Sequence, residues 1–381
     1  MNKHAEIIST KSWLFSRNTD LFILMLPVWV CWIICFSLPE SVLNKDLPLW
    51  FWAVFILGID VSHVWSTIFR TYLDKEEFNN HKNLLIYTPL VSFICLFLLA
   101  FTSHLWYWRV LAYLALYHFI KQQYGFLALY NAKFGKKLHK IFNDKWIIYF
   151  SMVYPVIYWH LSGNRAFNWF VKEDFFNIGG TLTQHLQNVE PILQGVLQFA
   201  NVFYWLIIAA WLAEEIILSK KQFHKIATGK VLWILTTAGN WYLGIVYFNS
   251  DIVFSLTNVV AHGIPYIVLI LYYVERKKKI KSKATTRKNL VKGGLSIAFM
   301  LSLILLLAFG EEYMWDMFLY REKQPLFENL FAYPFNAATT VFFQAFALAM
   351  LSIPQVSHYI IDGYIWKGGK KNPYVKKVLI D

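Results

Sequence analysis

The chain has 381 residues, 57% of them hydrophobic and only 15% charged, where a soluble protein of this length carries about 25% charged residues. Together with 17 Trp and 33 Phe, this excludes division into two soluble domains by length. It predicts an all-α, polytopic membrane bundle forming one integral domain over residues 1–381. The formal charge of +13 would suit a nucleic-acid binder, but its placement along the chain argues against that partner.

Apolar runs of about 20 residues, the length that crosses a bilayer, occur ten times. They lie near 21–38, 49–69, 84–102, 106–130, 146–162, 199–218, 231–248, 252–274, 293–310 and 338–361. The first run is followed by "LPESVLNKDLP" rather than a small-residue cleavage site, so it is expected to remain as a span. The stretch 163–198 has room for an interfacial helix. Cys31, Cys35 and Cys95 all sit in apolar runs without CxxC spacing and read as packing residues.

With ten spans, the connecting segments alternate in basic charge. One side receives 29 of the 36 lysines and arginines and the other receives five. Basic loops stay in the cytoplasm, so both termini are predicted to be cytoplasmic, in a bacterial inner membrane. The loop "ERKKKIKSKATTRKNLVK" then lies beside anionic lipid headgroups. The charge is topological, and membrane lipids rather than nucleic acid are the expected partner.

Four predicted spans carry a histidine with polar companions at helical spacing. The second has Asp60 and His63 at i, i+3, with Thr67 and Arg70 further on; the fourth has His118, Lys121 and Gln122. The eighth has Asn258 and His262 just before a Gly-x-Pro break, and the tenth has His358 and Asp362. All four histidines fall at the centre or in the cytoplasmic half of their spans. His104, His139, His160 and His224 lie at outer span ends or in loops and are set aside. A lone intramembrane histidine is ordinarily a packing or interhelical hydrogen-bond residue, worth about 0.6 kcal/mol. Asp362 followed by Gly363 also fits a helix end. Four such helices together favour a common site.

Imidazole plus carboxylate inside a helical bundle is a ligand set for iron, manganese or zinc. His63, His118, His262 and His358 are the expected ligands, with Asp60 and Asp362 as ligands or as acceptors that orient the histidines. Lys121 and Gln122 are expected to position substrate, Lys121 being tolerated in the bundle through Asp60, Asp362 and Asn258. No HExxH, phosphate loop or G-x-S-x-G occurs. The histidine boxes of membrane desaturases are missing, and "AHGIPY" resembles membrane O-acyltransferases only in having a histidine in apolar sequence.

"YHFIKQQYGF", "TNVVAHGIPY" and "HYIIDGYIWK" resemble motifs of a loose group of uncharacterised bacterial polytopic membrane proteins, which end in H-[FY]-x-x-D-G-x-I-W-[KR]. The three motifs cover about a tenth of the chain. Relatives often have a second histidine where this chain has Thr257. The resemblance implies that His118, His262, His358 and Asp362 belong together, and it implies no activity.

The sequence reading is therefore a membrane-embedded, metal-dependent oxidoreductase, with iron as the expected metal and a lipid or other apolar substrate. The alternatives are a proton-coupled transporter using the same residues as a relay, and a structural protein whose cluster only sets helix register. Topology is directly testable. A reporter fused after Asp381 or inserted near Lys281 should report cytoplasm, and one near Glu173 or Lys323 the opposite side. A periplasmic signal from the C-terminus would overturn the ten-span count.

Overall fold

A computed structural model describes residues 12–43, 48–134, 140–163, 165–221, 226–282, 287–328 and 339–381. Of the basic residues counted above, Lys3, Lys11, Lys45, Lys136, Lys137, Lys225 and Lys283 lie outside these, as do His139 and His224. Every regular element among the described residues is helical, apart from one isolated bridge between Gly369 and Asn372.

The helices, in chain order, are α1 (Thr19–Ser37), α2 (Leu49–Arg70), α3 (Lys75–Asn80), α4 (Lys82–Thr102), α5 (His104–Phe134), α6 (Asp144–Leu161) and α7 (Ile178–His185). They continue as α8 (Val189–Lys221), α9 (Thr228–Trp241), α10 (Asp251–Ser282), α11 (Arg287–Trp315), α12 (Val341–Leu351), α13 (Ile353–Ile365) and α14 (Pro373–Leu379). Four of them contain or run into π-helical turns: Thr19–Met25 within α1, Trp52–Val61 within α2, Tyr242–Tyr247 after α9 and Asp316–Tyr320 after α11.

Among the described residues, seven stretches are long and apolar enough to cross a membrane: α1, α2, α4, α8, α10, α11 and α12–α13 together. The other three predicted spans, 106–130, 146–162 and 231–248, also form helices (α5, α6 and α9), but these are too short or too polar to meet that standard. The tenth predicted span is broken at Ser352, because Pro354 at the start of α13 cannot continue the α12 ladder. The predicted interfacial segment contains α7.

Contacts group the chain into two compact units. The first comprises α1, α5 from Leu116 onward, α6 to α9, and α10 up to Pro265. Polar side chains join its helices in pairs. Trp29 and Trp32 of α1 donate to Thr236 Oγ1 (2.9 Å) and Asn240 Oδ1 (3.2 Å) of α9. Gly239 makes room for the second indole, since a Cβ there would meet the Trp32 ring at 2.9 Å. The Tyr204 hydroxyl of α8 reaches the carbonyl oxygens of Ser151 (3.1 Å) and Ala238 (3.0 Å), joining α6, α8 and α9.

At one end of this unit Asp144 accepts from Lys140 and Lys230 (both 2.8 Å) and from the Trp211 indole (3.0 Å). Glu215 takes the same two ammonium groups. Burial by itself raises the Asp144 pKa, but the charges of Lys230 and Lys140 outweigh it and hold the group below its ordinary value. A carboxylate with a depressed folded pKa stabilises fully above its unfolded value, near 3.8. That contribution is lost as pH falls through the folded pKa.

The second unit comprises α2 to α4, the start of α5, α10 from Tyr266, and α11 to α13. Here α4 lies along α12 through Phe93–Phe346 and Phe97–Phe342 edge-to-face contacts, with centroids 5.7 and 5.4 Å apart. Tyr107 at the start of α5 donates to the Leu348 carbonyl at 3.0 Å and bonds Ser352, bracing the break between α12 and α13.

Asp144→Asn should therefore destabilise the protein at pH 7 by about 2–3 kcal/mol, because it leaves two buried ammonium groups sharing one carboxylate. Thermal unfolding in detergent should show the gap between variant and parent closing as pH is lowered below about 4. A gap that persists unchanged at pH 3 would show that the charge of Asp144 is not what stabilises.

Candidate metal centre

In the second unit, His63 follows the π-helical part of α2, where the Ser62 hydroxyl bonds the Leu57 carbonyl five residues back at 2.8 Å. Such π turns recur at functional sites because they rotate the following residues out of α-helical register. His63 Nδ1 lies 3.6 Å from Asp60 Oδ1, and the His63 ring meets His358 of α13 edge-on with centroids 5.0 Å apart.

His358 Nδ1 bonds Thr67 Oγ1 at 2.8 Å, and Thr67 Oγ1 bonds the Tyr266 hydroxyl at 3.1 Å. Tyr266 donates to Asp362 Oδ1 at 2.6 Å, and the Trp366 indole donates to the same oxygen at 2.7 Å. With Asp362 ionised, this chain assigns the protons. Tyr266 gives its proton to the carboxylate, so its oxygen accepts from Thr67. Thr67 has one proton and therefore accepts from His358 Nδ1–H. The lone pair of His358 is then on Nε2, the tautomer a metal ligand requires.

Asp362 thus reaches His358 only through Tyr266 and Thr67. The helix-end reading of Asp362–Gly363 is corrected as well. The helix α13 runs on to Ile365, since Gly363 keeps helical geometry and Asp362 is tied into the bundle by Tyr266 and Trp366.

In the first unit, His118 of α5 and His262 of α10 also meet edge-on, centroids 5.0 Å apart, and the Phe119 ring stacks on His262 at 3.7 Å. The predicted break at Gly263-x-Pro265 does not occur, and α10 is continuous from Asp251 to Ser282. Proline has no N–H for the carbonyl four residues back, Ala261. Gln123 Nε2 supplies the missing donor at 3.1 Å, and Gln122 Nε2 donates to the adjacent His262 carbonyl at 2.7 Å. Both glutamines are buried. Gln122 is thus a backbone partner that fixes His262, and its Oε1 has no hydrogen-bonding partner among the described residues.

Lys121 departs from expectation. Its side chain is exposed on the surface, donates to the Tyr149 hydroxyl at 3.3 Å and lies 5.4 Å from the centre of the Tyr124 ring. Aromatic faces and a hydroxyl, rather than Asp60, Asp362 or Asn258, accommodate the ammonium group. Asn258 instead bonds the Phe254 carbonyl of its own helix at 3.0 Å. It sits with Thr257 where Gly244 comes so close that a Cβ would meet Thr257 Oγ1 at 2.7 Å.

All four predicted histidines are buried, between 1% and 3% exposed. The second unit thus holds one histidine pair, His63 with His358, and the first unit another, His118 with His262. Asp60 stands 3.6 Å from the first of these pairs, and Asp362 is joined to it through Tyr266 and Thr67. Of the histidines set aside, His104 accepts from the Trp108 indole (3.0 Å) and His160 bonds the Val156 carbonyl (2.7 Å).

Sequence reasoning missed Glu311 and Glu312, which fell just beyond the ninth predicted span. They lie inside α11, where Trp65 donates to Glu311 (2.7 Å) and Trp52 to Glu312 (3.0 Å). Two adjacent carboxylates in "FGEEYMW" were the available signal. Tyr266 was also missed, although it stands in "AHGIPY". No protein-family model, curated protein or solved structure matches the chain.

The role given to Gln123 can be isolated by a double-mutant cycle. Gln123→Leu should destabilise by about 1–3 kcal/mol, the penalty for a buried carbonyl left without a donor. Combined with Pro265→Ala, which restores a helical N–H, most of that loss should disappear when thermal unfolding is measured. Strict additivity of the two changes would refute the assignment.

Proposed function

We propose that the protein is a membrane-embedded, metal-dependent oxidoreductase, with iron as the expected metal, acting on a lipid or other apolar substrate. The observation that carries this reading is that four buried imidazoles form two edge-on pairs, His63 with His358 and His118 with His262, each with ring centroids 5.0 Å apart. Neutral imidazole donors suit iron, copper, nickel or zinc.

The surroundings fit as well. Metal-bound histidines give their second ring nitrogen to an oxygen acceptor, and His358 has one in Thr67 Oγ1 at 2.8 Å, while the Asp60 carboxylate stands 3.6 Å from His63 Nδ1, just beyond hydrogen-bond reach. His63, His118, His262 and His358 would hold the metal, while Asp60, and Asp362 through Tyr266, would orient two of them. Bound iron would supply electron transfer to the substrate. Gln122 keeps His262 in place through its carbonyl, and its free Oε1 can accept a hydrogen bond from a polar group of the substrate. We assign no catalytic role to Lys121.

A second reading, proton-coupled transport through the same histidines, is favoured by one observation. Asp60 is 3.6 Å from His63, and the buried carboxyl groups of Glu311 and Glu312 stand close enough to act on Asp60 electrostatically. Such a run of acids and histidine is the material of a proton relay.

Elemental analysis of gently purified protein separates the two. The parent should carry near-stoichiometric metal, and His358→Ala or His118→Ala should lose most of it. Asp362→Asn should weaken metal affinity by about 10- to 100-fold, and Lys121→Gln should change nothing. A parent without metal, whose liposomes show proton flux lost in the same histidine variants, would replace the oxidoreductase reading with the transporter.

A further inference from the structure

Several buried basic side chains among the described residues are met by acids. Lys140 and Lys230 face Asp144 and Glu215; Lys277 faces Asp74 and Glu77, Lys281 faces Glu76, and buried Arg70 pairs with Glu77. One cluster of lysines in the second unit is gathered in a cavity without an acid. Between the α3–α4 corner and the loop after α13 lies a cavity of about 700 Å³, lined by His81, Lys82, Lys367, Lys370 and Lys371 and by no carboxylate. None of these four lysines has an ion pair among the described residues, and the Lys367 ammonium lies 4.9 Å from the centre of the Tyr364 ring.

The cavity is built on a fixed base. Asn372, 4% exposed, donates to the carbonyl oxygens of Tyr364 (3.0 Å) and Lys367 (2.8 Å). Its own oxygen accepts from Arg70 (3.2 Å), whose same nitrogen also bonds the Ile365 carbonyl (2.9 Å). Arg70 is fully buried and lies 4.2 Å from the centre of the Tyr273 ring. The segment carrying Lys367, Lys370 and Lys371 is therefore pinned beneath its lysines.

On the facing side the cavity meets the start of α4, a 21-residue helix whose cap residue, His81, makes no side-chain bond to the first turn. The positive end of the helix dipole thus adds to the lysine charge. His81, 7% exposed, uses Nδ1 on the Glu77 carbonyl (3.3 Å). Burial, together with the nearby charges of Arg70 and Lys371, pushes its pKa down despite Glu77. A concave surface of one sign concentrates counter-ions, and unpaired ammonium groups gathered there repel one another unless an anion joins them.

We propose that this cavity is a binding site for the phosphate-bearing headgroup of an anionic phospholipid. The setting selects a lipid over a free anion. The cavity opens at the ends of two membrane-crossing stretches, α4 and α13, and Tyr364 stands half exposed on its rim. Tyrosine at a span end marks the headgroup level, and basic pockets between helices at the cytoplasmic face take acidic headgroups. The lysine count puts this end on the cytoplasmic side. The phosphate would lie among Lys82, Lys370 and Lys371, with the acyl chains following α4 into the bilayer.

The test uses full-length protein in neutral detergent, titrated with phosphatidylglycerol, phosphatidylcholine or inorganic phosphate, with bound lipid read by native mass spectrometry and phosphate by calorimetry. The parent should bind phosphatidylglycerol at least 10-fold more tightly than phosphatidylcholine. Each lysine of the cavity changed to Gln should weaken it about five-fold, so that K370Q/K371Q loses about 25-fold. K376Q/K377Q, equally basic residues outside the cavity, should lose less than about three-fold. Because the variants can also fail to fold, lysine acetylation of the parent gives an independent reading: phosphatidylglycerol should protect Lys82, Lys370 and Lys371 and leave Lys376 reactive. Equal binding by the two double variants, no protection in the parent, or inorganic phosphate binding as tightly as the lipid would each overturn the assignment.

Discussion

A carbonyl oxygen that loses its helical donor inside apolar surroundings has no water to turn to. That constraint organises the centre of this protein. Pro265 removes one N–H from α10, and Gln123 of α5 replaces it, while Gln122 takes the next carbonyl. The two glutamines therefore lock α5 to α10 at the level of His118 and His262. The polar stretch "HFIKQQ", improbable in a membrane helix if read alone, answers a defect in another helix.

The same requirement explains how the chain uses tryptophan. Abundant aromatic residues read from sequence as a lipid-facing and interfacial population. In the folded protein several indoles instead serve as donors between helices. Trp29 and Trp32 reach α9, Trp52 and Trp65 reach the carboxyl groups of α11, and Trp366 bonds Asp362. An indole N–H can only donate, so each of these contacts orients its acceptor. Trp366 in particular leaves Asp362 as the acceptor end of the chain through Tyr266 and Thr67 to His358.

Helical class and most element positions were legible because they depend on local pattern: apolar run length, and polar residues three or four apart. The Asp60–His63 contact is of this kind. Long-range partnerships were not legible. Thr67 meets Tyr266 and His358 at separations of 199 and 291 residues, and no periodicity reports such a pairing. Lys121 was misplaced for a related reason. Helical spacing puts it one turn from His118, but spacing alone does not say that Tyr149 waits on the outer surface. The continuity of α10 through Pro265 was hidden because the compensating donors lie about 140 positions earlier.

The π-helical run Trp52–Val61 has a consequence for how the site can vary. A π turn holds more residues per turn than an α-helix, so it behaves as residues added to an otherwise regular helix. Removing one would return the stretch towards α geometry and swing everything after it by about 100°. His63, Thr67 and Arg70 would rotate together, moving the histidine away from His358, the threonine away from Tyr266, and the guanidinium away from the tail loop. Residue count in this one segment thus acts as a phase setting shared by three sites along α2. Substitutions there can be absorbed singly, whereas a change in length shifts all three at once.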